Sequence, residues 1–145
     1  MVIEPAEERD LPEVRRLIEQ NRLPLDGLDE HVRTMVVARE GERLVGTAAL
    51  ELYADGALLR SVAVDPAVQG RGVGHQLTEA ALTLGRTLGL PAVFLLTTTA
   101  EAFFPKFGFE RITRDDVPDS VKASVEFRSA CPSSATVMRK LLGSR

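Results

Sequence analysis

Residues 69–74 read Gln-Gly-Arg-Gly-Val-Gly, and they carry the clearest chemical signal in the chain. An apolar strand (Leu58, Leu59, Val62, Val64) runs into the stop signal Asp65-Pro66 before them. The amphipathic stretch Leu77, Ala80, Ala81, Leu84, Leu88 follows. A glycine-rich turn that opens a helix leaves several backbone N–H groups without intrahelical partners, and the helix dipole adds positive potential there. Missing Cβ atoms let an anion approach the backbone closely, and Arg71 adds a charge nearby. Such a turn suits a pyrophosphate. Two other phosphate loops fail on spacing. A P-loop requires Lys-Ser or Lys-Thr after its last glycine, where this chain has His75-Gln76. A dinucleotide fingerprint sets its third glycine three residues after the second, whereas Gly70, Gly72 and Gly74 are evenly spaced by two.

The elements that must position this turn are legible from periodicity. Val2-Ile3 begins an edge strand. Asp10, Pro12 and Glu13 mark a helix start, with Leu11, Val14, Leu17 and Ile18 at helical spacing. Pro24 and Gly27 predict a loop or broken helix over 23–33. Strands are expected at Thr34–Ala38, Arg43–Leu52 and Ala57–Val64, turning at Glu40-Gly41 and Ala54-Asp55-Gly56. The helix after the glycine turn should run from Gly72 to Leu88, stopped by Gly89 and Pro91. Ala92–Leu96 is a continuous apolar run, as in a strand buried on both faces. Thr97–Thr99 can cap a short helix Ala100–Lys106, and Phe109–Thr113 reads as a strand. Residues 114–133 are polar and irregular; Ser134–Leu142 is a strand or a helix, with Val137 favouring strand. This order gives an α/β domain with a mixed, mostly antiparallel sheet flanked by helices, one domain over 1–145.

Bulk properties exclude several partners. A net charge of −3 is the wrong sign for a phosphate backbone, so no nucleic acid is expected. No apolar run reaches membrane-spanning length and the first residues lack a basic, hydrophobic leader, so the expectation is a cytoplasmic protein without a membrane partner. The single cysteine, Cys131, makes neither an internal disulfide nor a thiolate metal site. No metal is expected.

Gln-x-x-Gly-x-Gly after Val-x-Val-Asp-Pro resembles the acetyl-CoA-binding motif of the GCN5-related N-acetyltransferases (GNAT), and the element order resembles their fold. A second segment, Leu95 to Phe109, has threonines ending a strand, then Phe103-Phe104 and Gly108-Phe109. It is similar to the amino-acid N-acetyltransferases, including bacterial N-acetylglutamate synthase domains, as is Gly46-Thr47-Ala48-Ala49-Leu50. Leu59–Val64, the Thr-Thr-Thr-Ala-x-x-Phe-Phe segment and Cys131-Pro132-Ser133-Ser134-Ala135 resemble the small arsenic-resistance N-acetyltransferases. The resemblance implies acetyl transfer from acetyl-CoA to a small-molecule amine, an amino acid or an arsenical or phosphinic analogue of one. It also implies a homodimer in many members. Alternatives are a protein or peptide N-acetyltransferase and a non-catalytic acyl-CoA-binding domain. The latter is prompted by phenylalanines at 103, 104 and 107, where many relatives carry a proton-donating tyrosine; the sole tyrosine is Tyr53.

The resemblance assigns acetyl-CoA to the backbone of Val62, Ala63 and Val64, to Gln69, Gly70, Arg71, Gly72, Val73 and Gly74, and to Thr98 and Phe104. Amine attack needs a proton acceptor, and Glu51 is the candidate base, its other reading being an exposed strand carboxylate. Arg60 interrupts an apolar strand and suits capture of an acceptor carboxylate, or else a structural ion pair. Ser61 lines the acceptor pocket or fills a small space; Thr97 is part cap, part pocket. Arg128 and Cys131 belong to a stretch that completes the acceptor pocket in such folds, although a lone cysteine is also commonly inert. His31 and His75 read as solvated.

Overall fold

In the computed structural model the strands β1 (Val2–Pro5), β2 (Met35–Glu40), β3 (Arg43–Tyr53), β4 (Gly56–Val64), β5 (Ala92–Thr97), β6 (Glu110–Ile112) and β7 (Thr136–Leu141) form one sheet. The structure describes residues 1–124, 126–130 and 134–143. The strand order is β1-β2-β3-β4-β5-β7-β6, and every neighbouring pair is antiparallel except β4 with β5. That is the mixed, mostly antiparallel sheet expected from the element order.

Helices cover both faces. α1 (Leu11–Gln20) buries Val14, Leu17 and Ile18 against Leu28, Met35, Val37, Leu44, Ala49 and Ala63. α2 (Val73–Thr87) buries Val73, Leu77, Ala81 and Leu82 on the other face, against Val45, Ala48, Leu50, Leu59, Val93 and Leu95. Gly46 lets α2 come this close: a Cβ there would lie 2.6 Å from Leu77 Cδ1. A third apolar group (Leu58, Phe94, Val117, Val121, Val137) includes the one-turn helix α3 (Asp119–Lys122).

Some local expectations shift. The broken helix over 23–33 is a 3₁₀ segment, Leu28–Thr34, kinked at His31. The short helix expected over Ala100–Lys106 is a turn followed by a 3₁₀ turn, Phe104–Phe107, because Thr97 Oγ1 takes the Ala100 N–H and Pro105 sits in the first turn. The last element resolves as strand β7, which pairs with both β5 and β6.

Candidate functional site

The sheet opens where the glycine turn begins. β4 and β5 pair only at Ala57–Val93 and Leu58–Phe94, so from Leu59 onward β4 has no strand partner on that side. On its other side β4 carries a bulge. Ala49 faces Arg60 and Thr47 faces Ala63, so one residue of β3, Ala48, opposes two of β4, Ser61 and Val62. Ser61, at φ 60°, takes up the extra residue in the left-handed region. The gap is a cavity of about 1100 Å³. β4 from Leu59 to Val64, Ala63 excepted, lines one wall, and Leu95–Ala100 lines another. The glycine turn, the loop 21–26, Phe103, Phe104, Lys106 and Glu126 complete it.

Local bonds hold each wall. Asn21 Nδ2 donates to Leu17 O at 3.0 Å, closing α1, and to Val64 O at 3.3 Å, tying the loop to β4. Gln69 Nε2 donates to the same carbonyl at 3.1 Å. Asp65 accepts the Ala67 N–H at 2.8 Å and pairs with Arg43 at 2.6 Å, which sets the turn. Gly70 and Gly72 have φ of 85° and 81°, and a Cβ on either would meet no protein atom within 4 Å. Space therefore lies over the first turn of α2, whose leading N–H groups have no intrahelical acceptor. His75 stacks on Phe107 with centroids 4.8 Å apart, and Lys106 Nζ lies 5.3 Å from the Phe103 ring centroid.

Of the residues assigned to the cofactor, Val62, Val64, Gln69, Gly70, Gly72, Val73, Gly74, Thr98 and Phe104 line this cavity. Ala63 and Arg71 do not. Ala63 is buried under α1, and Arg71 turns away to pair with Glu40 of β2. Of the acceptor set, Arg60, Ser61 and Thr97 line it; Arg128 is exposed outside it, and Cys131 lies outside the described residues.

Glu51 and Arg60 depart most from their expected roles. Glu51 faces Leu58 and Arg60 faces Ala49 across the same hairpin, so both side chains stand on one face as diagonal neighbours. Arg60 NH1 donates to Glu51 Oε2 at 2.7 Å, and neither side chain is more than 1% exposed. The remaining guanidinium bonds go to the Pro24 carbonyl (2.9 Å), the Asp26 carbonyl, Ser61 Oγ (3.2 Å) and Glu126 Oε2 (3.3 Å). Every nitrogen has a protein partner, so the guanidinium is engaged chiefly in holding the protein together. Glu51 also accepts from Tyr53 OH at 2.6 Å and from His31 Nε2 at 2.9 Å. Burial pushes its carboxyl up, but the bonds from His31, Tyr53 and Arg60 outweigh this and hold it at about 2. A carboxylate so held, and not among the cavity-lining residues, is a poor proton acceptor. This placement favours a structural ion pair over a base at Glu51. His31, read as solvated, is instead a partner of Glu51, and burial together with Glu51 raises the Tyr53 phenol.

Sequence reasoning missed Asn21, Arg22, Asp26, Lys106 and Glu126 as cavity residues. For the loop, Pro24 and Gly27 signalled irregular chain but not where it lay. Glu126 had no signal at all, standing alone in a polar stretch.

With this geometry the comparisons agree. Residues 31–111 match the acetyltransferase (GNAT) domain family, and the chain belongs to it. It is thus a GNAT N-acetyltransferase, of a family whose acetyl donor is acetyl-CoA. It is 35% identical over 121 residues to an amino-acid acetyltransferase of Mycobacterium tuberculosis, covering 77% of this chain and 69% of the relative. A Ralstonia nicotianae amino-acid acetyltransferase is 31% identical over 122 residues, 81% of this chain but 25% of that protein. Among solved structures, a Mycobacterium tuberculosis protein in complex with CoA and NLQ superposes with a TM-score of 0.81 at 26% identity, over 97% of this chain and 99% of that one. An N-acetylglutamate synthase from Neisseria gonorrhoeae, complexed with coenzyme A and N-acetyl-glutamate, shares the fold at a TM-score of 0.84 and 23% identity, over 98% of this chain and 35% of that one.

Proposed function

We propose that this chain transfers an acetyl group from acetyl-CoA to the amine of a small amino acid. The observation that carries the reading is the parting of β4 from β5 directly beside the glycine turn. One continuous cavity joins a phosphate-suited helix start to a polar end at Ser61, Thr97 and Glu126. Its residues fit acetyl-CoA: the left-handed glycines leave room over free N–H groups, and the unpaired edge of β4 offers backbone groups to an extended arm. Acetyl-CoA supplies the acetyl group already activated as a thioester. The protein holds both partners in line, and the backbone near Val62 polarises the thioester carbonyl. The thiol, of ordinary pKa near ~8.5, needs little help to leave, so phenylalanines at 103, 104 and 107 are compatible with activity.

The amino-acid class rests on the names of the relatives, and the loop 21–26, which roofs Arg60, gives the acceptor end a closed polar wall. The finer arsenic-resistance reading rests on the resemblance of three segments, of which residues 131–133 lie outside the described residues, so arsenical and phosphinic analogues enter as members of the test panel. We further read 1–145 as one domain, cytoplasmic and dimeric. Among the described residues no helix is long and apolar enough to cross a membrane. A thiol-release assay with acetyl-CoA tests the function over the twenty L-amino acids, these analogues and peptides with free N-termini. Release with amino acids is expected. Release with peptides alone, or with nothing, would refute the reading.

A further inference from the structure

We infer that Arg22 binds the carboxylate of the acceptor. This role rests on the acetyltransferase reading above and supplies a group that selects an amino acid over a plain amine. Among the described residues two other than glycine have positive φ, Arg22 at 58° and Ser61 at 60°, and both line the same cavity. Ser61 takes up a strand bulge. Arg22 closes a helix: the Leu23 N–H donates to Ile18 O at 3.1 Å and the Arg22 N–H to Glu19 O at 3.0 Å. Leu23 then packs against the apolar group that holds Leu17 and Ile18. This paired closure turns the chain through one left-handed residue, a place that glycine fills with least strain. Here an arginine fills it, at the wall of the cleft.

Its charge is not otherwise engaged. Arg22, Arg60 and Lys106 are the arginine and lysine side chains that line the cavity among the described residues. Arg60 is bonded into the protein, and Lys106 lies against the Phe103 ring. The Arg22 side chain is exposed and, among the described residues, has neither an ion pair nor a hydrogen bond; Asp26 on the same loop does not pair with it. The two faces of the sheet settle which anion it meets. α1 and the loop after it lie on the face of Ala49 and Ala63, where Pro24 and Asp26 reach Arg60. α2, Phe103 and Lys106 lie on the opposite face, with the room for phosphates over the first turn of α2. The Asn21 bond to Val64 O brings the residue before Arg22 up to the unpaired part of β4. Arg22 thus meets the cleft from the acceptor's side.

A guanidinium offers a carboxylate two parallel N–H donors in one plane, which fixes orientation as well as charge. Standing at the mouth of the cavity, the arginine stays hydrated until the acceptor arrives, so the free protein carries no buried unpaired charge there. Glycine at this position would relax the turn and remove the cation together. Stability and acceptor binding should therefore respond to the same substitution in opposite directions. A cation at the end of α1 also suits the helix dipole, but that role would show in stability and leave KM alone.

The test uses the best acceptor among the twenty L-amino acids, together with its carboxamide, which keeps the amine and loses the negative charge. Arg22→Gly should raise KM for the amino acid by about 10–100-fold, the range of a hydrogen bond to a charged group. Its kcat, and KM for acetyl-CoA, should stay within about twofold. The carboxamide should be the poorer acceptor of the wild type, and the substitution should not change its KM. Tm of this variant should equal or exceed that of wild type, because glycine relieves the positive φ. Arg22→Lys keeps both the charge and the strain; it should melt like wild type and recover only part of the KM. Equal KM rises for amino acid and carboxamide, or wild-type kinetics in both variants with or without a lower Tm, would overturn the assignment. So would a rise confined to KM for acetyl-CoA, which would give Arg22 to the cofactor's phosphates. Each of these leaves the acetyltransferase reading intact. A wild-type protein that acetylates no amine would remove that reading, and the role of Arg22 with it.

Discussion

Arg60 and Glu51 stand 2.7 Å apart on neighbouring strands, both essentially sealed from solvent, and the pair anchors the wall of the cleft. Arg60 reaches from the bulge of β4 to the carbonyls of Pro24 and Asp26, so one guanidinium binds two strands, the roof loop and the segment that carries Glu126. The pair divides the apolar lining of its sheet face. The Ala49 group lies under α1 and the Leu58 group under α3, with the charges between.

Removing one partner of such a pair leaves a buried charge uncompensated. Arg60→Ala should destabilise the fold by roughly 3–5 kcal/mol in urea unfolding, and Arg60→Lys should recover little because an ammonium cannot reproduce the fork. A loss confined to acceptor KM, with stability untouched, would restore the expectation that Arg60 anchors substrate.

Acid should find Glu51. Its carboxyl titrates at an ordinary 4.5 when unfolded and about 2 when folded. The stabilisation is therefore complete above about pH 5 and drains away as pH falls through 4.5 toward 2, since the unfolded chain takes the proton first. Thermal melts of wild type between pH 6 and pH 2 should show this decline. Glu51→Gln should start from a lower Tm and show a shallower one.

Gly72 caps α2 in the left-handed region with open space where a Cβ would stand. Gly72→Val should weaken acetyl-CoA binding by at least about tenfold in calorimetry, while costing only about 1–3 kcal/mol of stability from the strained φ. Unchanged affinity would remove the glycine turn from the cofactor site.

Ser61 combines φ 60° with a hydroxyl that accepts from Arg60 Nε. Ser61→Gly relieves the strain and loses the bond, two effects of about 1 kcal/mol each, so stability should change little. Ser61→Val puts a β-branched residue at positive φ and should cost more than about 2 kcal/mol. It should also lower kcat by displacing the Val62 backbone, as steady-state kinetics would show.

The strand–turn–helix around residues 57–88 was legible because its determinants are local: an apolar run, a proline stop, glycines and a 3.6-residue period. Even the Glu51–Arg60 contact was within reach. Counting back from the Ala54-Asp55-Gly56 turn pairs Glu51 with Leu58 and Ala49 with Arg60, which makes the two charges diagonal neighbours. The bulge at Ser61 was not legible, since no glycine marks it and the positive φ falls on a serine. Nor was the gathering of His31, Tyr53 and Glu126 around that pair, or the turning of Arg71 toward Glu40. Periodicity along a chain reports which face of an element is apolar. Which charges from distant segments meet is settled only when the helices pack and β4 parts from β5, because the energy of a buried charge depends on partners brought in by the whole fold.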